Sequence, residues 1–148
     1  MYNTILIPLD GSKRAEAILS HVEDLAGRYG ATVILLCVVE PVPFATGYEP
    51  SYVVLREDFE RRTKEAESYL AGLQGEFREK GIQARTSVVS GPVVDAIIKA
   101  AEREGADLIA LASHGRSGLS QVFYGSVAAG VLHRIDRPLL LIRSRDNG

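Results

Sequence analysis

Val33-Ile34-Leu35-Leu36-Cys37-Val38-Val39 is apolar from end to end. A short run of this kind fits a strand covered on both faces, as in the middle of a parallel sheet. Upstream, Ile5-Leu6-Ile7 is a second run, and it ends at Pro8-Leu9-Asp10-Gly11-Ser12. Between the two, Ile18, Val22, Leu25, Ala26 and Tyr29 recur at the spacing of one helix face. Gly30 supplies the stop. The chain therefore opens as strand, helix, strand.

Downstream the alternation continues. Glu40 to Tyr52 carries Pro41, Pro43, Gly47 and Pro50 and reads as a long irregular loop, a feature that often serves as a lid or binding loop. Leu55, Phe59, Ala66, Leu70, Leu73 and Phe77 then mark one face of a long helix that ends near Gly81. Ala84 to Ser90 alternates in polarity and suits a sheet edge. After Gly91-Pro92, residues Val94, Ile97, Ile98 and Ala101 define another helix, closed by Gly105. Leu108 to Ala112 is a fourth strand, and Ser113 to Tyr124 is a loop bearing glycine and serine. A last helix starts near Gly125-Ser126, with Ala128, Val131, Leu132 and Ile135 on one face; Pro138 then leads into Leu139-Leu140-Leu141-Ile142.

Five strands interleaved with four helices predict one α/β domain over residues 1–148. Its sheet is open, five-stranded, mostly parallel and doubly wound, with helices on both faces. In such sheets ligands bind beyond the carboxyl ends of the strands, where strand order reverses. The places to search are Leu9 to Lys13, Val38 to Pro43, Ser90 to Val93 and Ala112 to Ser126.

Composition narrows the function classes. The 148 residues are enough for one substantial core. Seventeen basic residues against 19 acidic ones leave a net charge of −2, with no basic footprint for nucleic acid or an anionic membrane. Cys37 is the one cysteine; it has no intrachain disulfide partner and reads as a small buried hydrophobe. The opening Met-Tyr-Asn-Thr lacks the basic and long apolar regions of a signal peptide, and no run nears the ~20 residues of a membrane span. A cytoplasmic location is expected.

Gly115, Gly118 and Gly125 lie between the fourth strand and the last helix, where Ser126 follows. Glycines let backbone N–H groups crowd around an anion, and a helix N-terminus adds free donors and a favourable dipole. The same residues also read as plain turn glycines with Ser126 as a helix cap. No P-loop, no Gly-x-Gly-x-x-Gly in the first turn and no Gly-x-Ser-x-Gly elbow occurs. His21, His114 and His133 are scattered, so no metal site is indicated, and no nucleophile and base stand together as a catalytic pair.

The opening Ile5 to Ser12, then Ala106-Asp107-Leu108-Ile109, Ser113-His114-Gly115, Gly125-Ser126 and Pro138 to Ile142 resemble the universal stress protein family, in order and over essentially the whole chain. The resemblance implies a Rossmann-like fold of the adenine nucleotide alpha hydrolase kind. It implies an ATP site, with Mg2+ accompanying the phosphates. The family's nucleotide motif is glycine, two residues, glycine, nine residues, then glycine with serine or threonine. Here Gly115, Gly125 and Ser126 match it, while Ala112 replaces the first glycine. An alanine is tolerable if that position only leaves room, and damaging if it must be left-handed.

By the same resemblance, Pro8 and Asp10 stand at the nucleotide, Asp10 holding the ribose hydroxyls. Val38 offers its backbone to the adenine edge, and Gly91 lines the pocket. His114, Arg116 and Gly118 belong to the phosphate loop. Each has a plainer reading: Asp10 as an Asx-turn, Gly91 as a cap before Pro92, His114 as structural, and Arg116 and nearby Lys13 as solvated cations. Three functions compete: an ATP-binding regulatory protein, a dimeric interaction module without a working site, and a slow ATPase. The resemblance places the last strand at a sheet edge, and its uniformly apolar Leu139 to Ile142 predicts a homodimer in all three. The regulatory partner is not identified by the sequence.

Overall fold

A computed structural model describes residues 1–41, 51–115 and 125–145. The strands are β1 (Thr4–Leu9), β2 (Thr32–Val39), β3 (Ala84–Ser90), β4 (Leu108–Gly115) and β5 (Leu139–Arg145). The helices are α1 (Leu19–Tyr29, preceded by a 3-10 turn at Ala15–Ile18), α2 (Tyr52–Glu79), α3 (Val93–Glu104) and α4 (Ser126–Arg134). The strands form one sheet in the order β3-β2-β1-β4-β5, and every pairing is parallel. Strand order reverses between β1 and β4, which puts the crevice of a doubly wound sheet over those two strand ends.

The apolar run of β2 explains the layering. Val33, Leu35 and Cys37 join Ile5, Ile7 and Leu9 of β1 under Ile18, Val22 and Ala26, and under Leu70, Leu73 and Phe77 of α2. Ile34, Leu36 and Leu6 face the opposite way, against Ile97, Ala100 and Ala101 of α3 and Ala128 and Val131 of α4. Alternate residues of one strand therefore serve two cores, and no position in the run can be polar. Burying a large aliphatic side chain contributes about 1.5–3 kcal/mol. Each strand in the centre of the sheet thus anchors both helix layers.

Helix ends follow the glycines. Gly30 and Gly105 cap α1 and α3 in the left-handed region, at φ 66° and 64°. Lys80 is the C-cap of α2, and Gly81 follows at φ 79°. Both strands expected at edges, β3 and β5, are edges.

Three side chains depart from the helical spacing read in the sequence. Tyr29 is exposed and meets Tyr2 edge-on with ring centroids 5.6 Å apart. Leu132 is exposed on α4, and Ile135 lies past the end of that helix as its C-cap. The helix ends at Arg134, one residue short of Ile135, while Leu132 lies within it but on its exposed side.

Candidate functional site

The crevice has a local cause in β1. Thr32 N–H donates to the Asn3 carbonyl (2.9 Å) and Asp107 N–H donates to the Thr4 carbonyl (3.0 Å). Successive residues of a strand present their polar groups to opposite edges. Along β1 the odd residues therefore face β2 and the even ones face β4. Pro8 is even, so the N–H it lacks is the one that β4 would have used. Six residue pairs join β1 to β2, but only Ile5–Leu108 and Leu6–Ile109 join β1 to β4. Pro8 thus lets the two central strands part where a ligand can enter, a role that its place in an apolar run conceals.

The same argument orients β2. Val33 N–H donates to the Gln83 carbonyl (2.9 Å), so odd residues face β3 and Val38 faces β1. Pairing with β1 ends at Leu9 opposite Cys37. The carbonyl of Val38 stands one step past that last pair, over the end of β1.

Asp10 leaves β1 at the crevice. Its Oδ1 accepts from Ser12 N–H (2.9 Å) and from Ser12 Oγ (2.6 Å), while Ser12 Oγ accepts from Ala15 N–H (3.1 Å). This Asx-turn starts the first helical segment. Partial burial pushes the Asp10 carboxyl up, but the bonds from Ser12, with the Arg14 charge nearby, outweigh that and hold its pKa below the usual value. The turn uses Oδ1, so Oδ2 is left for another partner.

Ala112 lies in β4 opposite Ile142, half-buried. No non-glycine residue among those described has a positive φ, so this position asks for no left-handed residue. Its methyl group is the only difference from glycine that matters here.

Gly125 behaves otherwise. It is the N-cap of α4 at φ 81° and ψ 155°, a region that essentially only glycine occupies. Ser126 is the first residue of the helix, not its cap, and makes no capping hydrogen bond. The cap reading of Ser126 is therefore replaced by an exposed hydroxyl at the mouth of α4.

Two cavities meet at Leu9 and Asp10. One, of about 190 Å3, is lined by Pro8, Asp10, Arg14, Ala112, Gly125 and Ser126, with Val93, Leu111 and Val127 among its apolar walls. The other, of about 340 Å3, is lined by Asp10, Cys37, Val38, Arg62, Glu65 and Tyr69 among others. The structure thus brings together Pro8, Asp10, Val38, Ala112, Gly125 and Ser126 of the residues singled out in the sequence.

Gly91 ends β3 at φ 131°, with its N–H donating to the Val39 carbonyl (3.4 Å), and lines neither cavity. His114 and Gly115 close β4. Arg116 and Gly118 lie outside the described residues, as does most of the expected loop after Glu40.

The structure adds residues that the sequence did not mark. Arg14 lines the smaller cavity, whereas its neighbour Lys13 is exposed and does not. Arg62 lines the larger one; its Nε bonds to Asp58 Oδ2 (3.0 Å), while its Nη2 is buried with no hydrogen-bond partner among the described residues. Tyr69 donates its hydroxyl to Glu16 Oε2 (2.7 Å) and ties α2 to the turn after β1. Burial, with the Asp10 charge added, pushes the Cys37 thiol up to about 11. No helix among the described residues is long and apolar enough to cross a membrane.

Known proteins share this fold. A family model described as the universal stress protein family matches residues 1–143. A universal stress protein from Thermus aquaticus is 32% identical over 146 residues, covering 97% of this chain and all of that protein. The solved structure of hypothetical protein MJ0577, whose namesake among the curated relatives comes from Methanocaldococcus jannaschii, superposes with a TM-score of 0.84 at 30% identity and covers 100% of this chain and 99% of that one. A universal stress protein family protein from Arabidopsis thaliana, solved with AMP bound, shares the fold at 17% identity and a TM-score of 0.68, over 98% of this chain and 94% of that one.

Proposed function

The chain belongs to the universal stress protein family, and from that premise we propose that it binds an adenine nucleotide, ATP by preference, across the ends of β1, β2 and β4. The observation that carries the reading is the pair of cavities joined at Leu9 and Asp10. A nucleotide has three parts, and this crevice offers three matching environments. The larger cavity, edged by the Val38 backbone, takes the base. Asp10 at the junction takes the ribose hydroxyls through Oδ2. The smaller cavity, closed by Gly125, Ser126 and the free N–H groups of α4, takes the phosphates. The AMP held by the Arabidopsis protein supports this class of ligand. The preference for ATP rests on the glycines at 115, 118 and 125, with His114 and Arg116 among them, as a loop for several phosphates.

Turnover is slow or absent in this reading. Asp10 is the one carboxylate among the described residues that line the phosphate side, and Ser12 already engages it. That set does not fit a resident metal, so magnesium would arrive on the phosphates. We read the protein as a cytoplasmic regulatory binder whose occupied and empty states present different surfaces to a partner. It acts as a homodimer joined through the β5 edge, where Leu139 to Ile142 are each only half-buried.

Thermal unfolding with added ATP tests the binding claim. Ligand at a hundredfold excess over Kd stabilises the native state by about 2.7 kcal/mol. For a chain of this size that raises Tm by about 5–10 °C. An unchanged Tm at millimolar ATP would reject the proposal.

A further inference from the structure

Asp10, Arg14, Gly125 and Ser126 line one cleft, and the charges around it are unequal. The N-terminus of α4 opens onto it with a positive dipole end and unpaired N–H groups. Asp10 carries the single negative charge on that wall and has two hydrogen bonds from Ser12. Arg14 is half-buried at the start of the 3-10 turn, and among the described residues no carboxylate lies within ion-pair distance of it. Several other cations are paired, Arg61 and Arg62 with Asp58, Arg134 with Asp95 and Lys80 with Glu23, and Lys13, Lys64 and Arg78, which are not paired among the described residues, are exposed. Asp10 feels the Arg14 charge but is engaged by Ser12 and makes no contact ion pair with it. A half-buried guanidinium not spent in a contact ion pair, beside a helix N-terminus, suits a multiply charged anion, because both raise the local potential in a partly desolvated cleft.

We infer that Arg14 reads the phosphate chain, setting the protein's preference among nucleotides by the number of phosphates they carry. This rests on the nucleotide-binding reading above and adds to it a residue that confers charge selectivity. Two cations, Lys13 and Arg14, stand side by side in sequence, yet only Arg14 lines the cleft. A guanidinium can span two phosphate oxygens, which a point charge cannot, so lysine should replace it only in part.

The test is calorimetric titration of the wild type, Arg14→Met, Arg14→Lys and Lys13→Met with ATP, ADP, AMP and adenosine at low and high salt. For Arg14→Met the expected loss is about tenfold or more for ATP, smaller for AMP and none for adenosine, since charge-assisted contacts scale with ligand charge. Arg14→Lys should recover part of the ATP affinity. Lys13→Met, with the same change in net charge, should bind as the wild type does. Losses equal across ATP and adenosine would mean that Arg14 only supports the Asp10 turn, and would overturn the inference. So would an Arg14→Met variant that matches Lys13→Met. A wild type that binds none of the four ligands would instead reject the nucleotide reading itself, and this inference with it.

Discussion

Replacing Gly125 with valine separates the fold from the site. Gly125 holds φ 81° and ψ 155°, where a side chain is strained by about 1–3 kcal/mol. A domain of this kind has about 5–15 kcal/mol of stability in all, so the variant stays folded. At about 2–4 °C per kcal/mol for this size, Tm falls by about 2–12 °C. The strain can relax by rotating the peptide between Gly125 and Ser126. That rotation tilts the first N–H groups of α4 away from the cleft, and those groups are the donors proposed for phosphate. Moving them should weaken ATP by about ten- to a hundredfold, which is about 1.4–2.8 kcal/mol. Adenosine, which has no phosphate, should be unaffected. Thermal unfolding and calorimetric titration of the same preparation read both effects. A variant with wild-type Tm and wild-type ATP affinity would refute the backbone argument, and equal losses for ATP and adenosine would refute the assignment of α4 to phosphate.

Other consequences follow from neighbouring residues. Ala112→Gly should cost about 0.5–1 kcal/mol of stability, because glycine loses more freedom in a strand, and should change ATP affinity less than tenfold; a hundredfold gain would show that the methyl group obstructs the site. Asp10→Ala should weaken adenosine and ATP alike. Because the Asp10 pKa is held below the usual carboxylate value, binding of adenosine, which carries no titrating phosphate, should stay constant from pH 7 to pH 5 and fall only as the pH drops further; a fall centred near pH 6 would contradict this. The Cys37 thiol, pushed up to about 11, should resist thiol reagents at pH 8 in the native protein and react promptly in urea. Its raised pKa stabilises the folded state fully below the unfolded thiol's value, and this is lost as the pH rises toward 11. A lysine at Leu141 should convert the proposed dimer to a monomer by light scattering; a wild type that is already monomeric at micromolar concentration would remove the edge-pairing proposal.

Much of the fold was legible because one physical rule repeats. The run from Val33 to Val39 has to be apolar on both faces if it feeds two cores, and it does. Gly30, Gly81 and Gly105 mark helix ends because the chain turns there through the left-handed region. The edge position of β3 was readable from the polar residues in its run, and Arg85 and Thr86 are exposed there in succession. The stripe of α4 was overestimated, since the helix stops before Ile135 and periodicity alone does not say how wide its buried face is, which leaves Leu132 outside.

The site was legible in part. Asp10, Gly125 and Ser126 stood out by residue type at strand and helix ends, and they line the cleft. What Pro8 does was not legible, because its effect depends on which neighbour its missing N–H would face. Arg14 could not be told from Lys13, because one position in a tight turn decides between cleft and solvent. Arg62 sits on α2, remote in sequence from every strand end, and reaches the larger cavity only through the packing of α2 on β2. Gly91 shows the converse: a positive φ at a strand end with no place in either cavity.

The most direct measurement is calorimetric titration of the purified wild-type protein with ATP, with and without magnesium, beside AMP. Micromolar binding at one site per chain, tighter for ATP than for AMP, is the predicted result. A folded protein that gives no binding signal with either nucleotide would contradict the account and leave the β5 edge and the helix surfaces as its working parts.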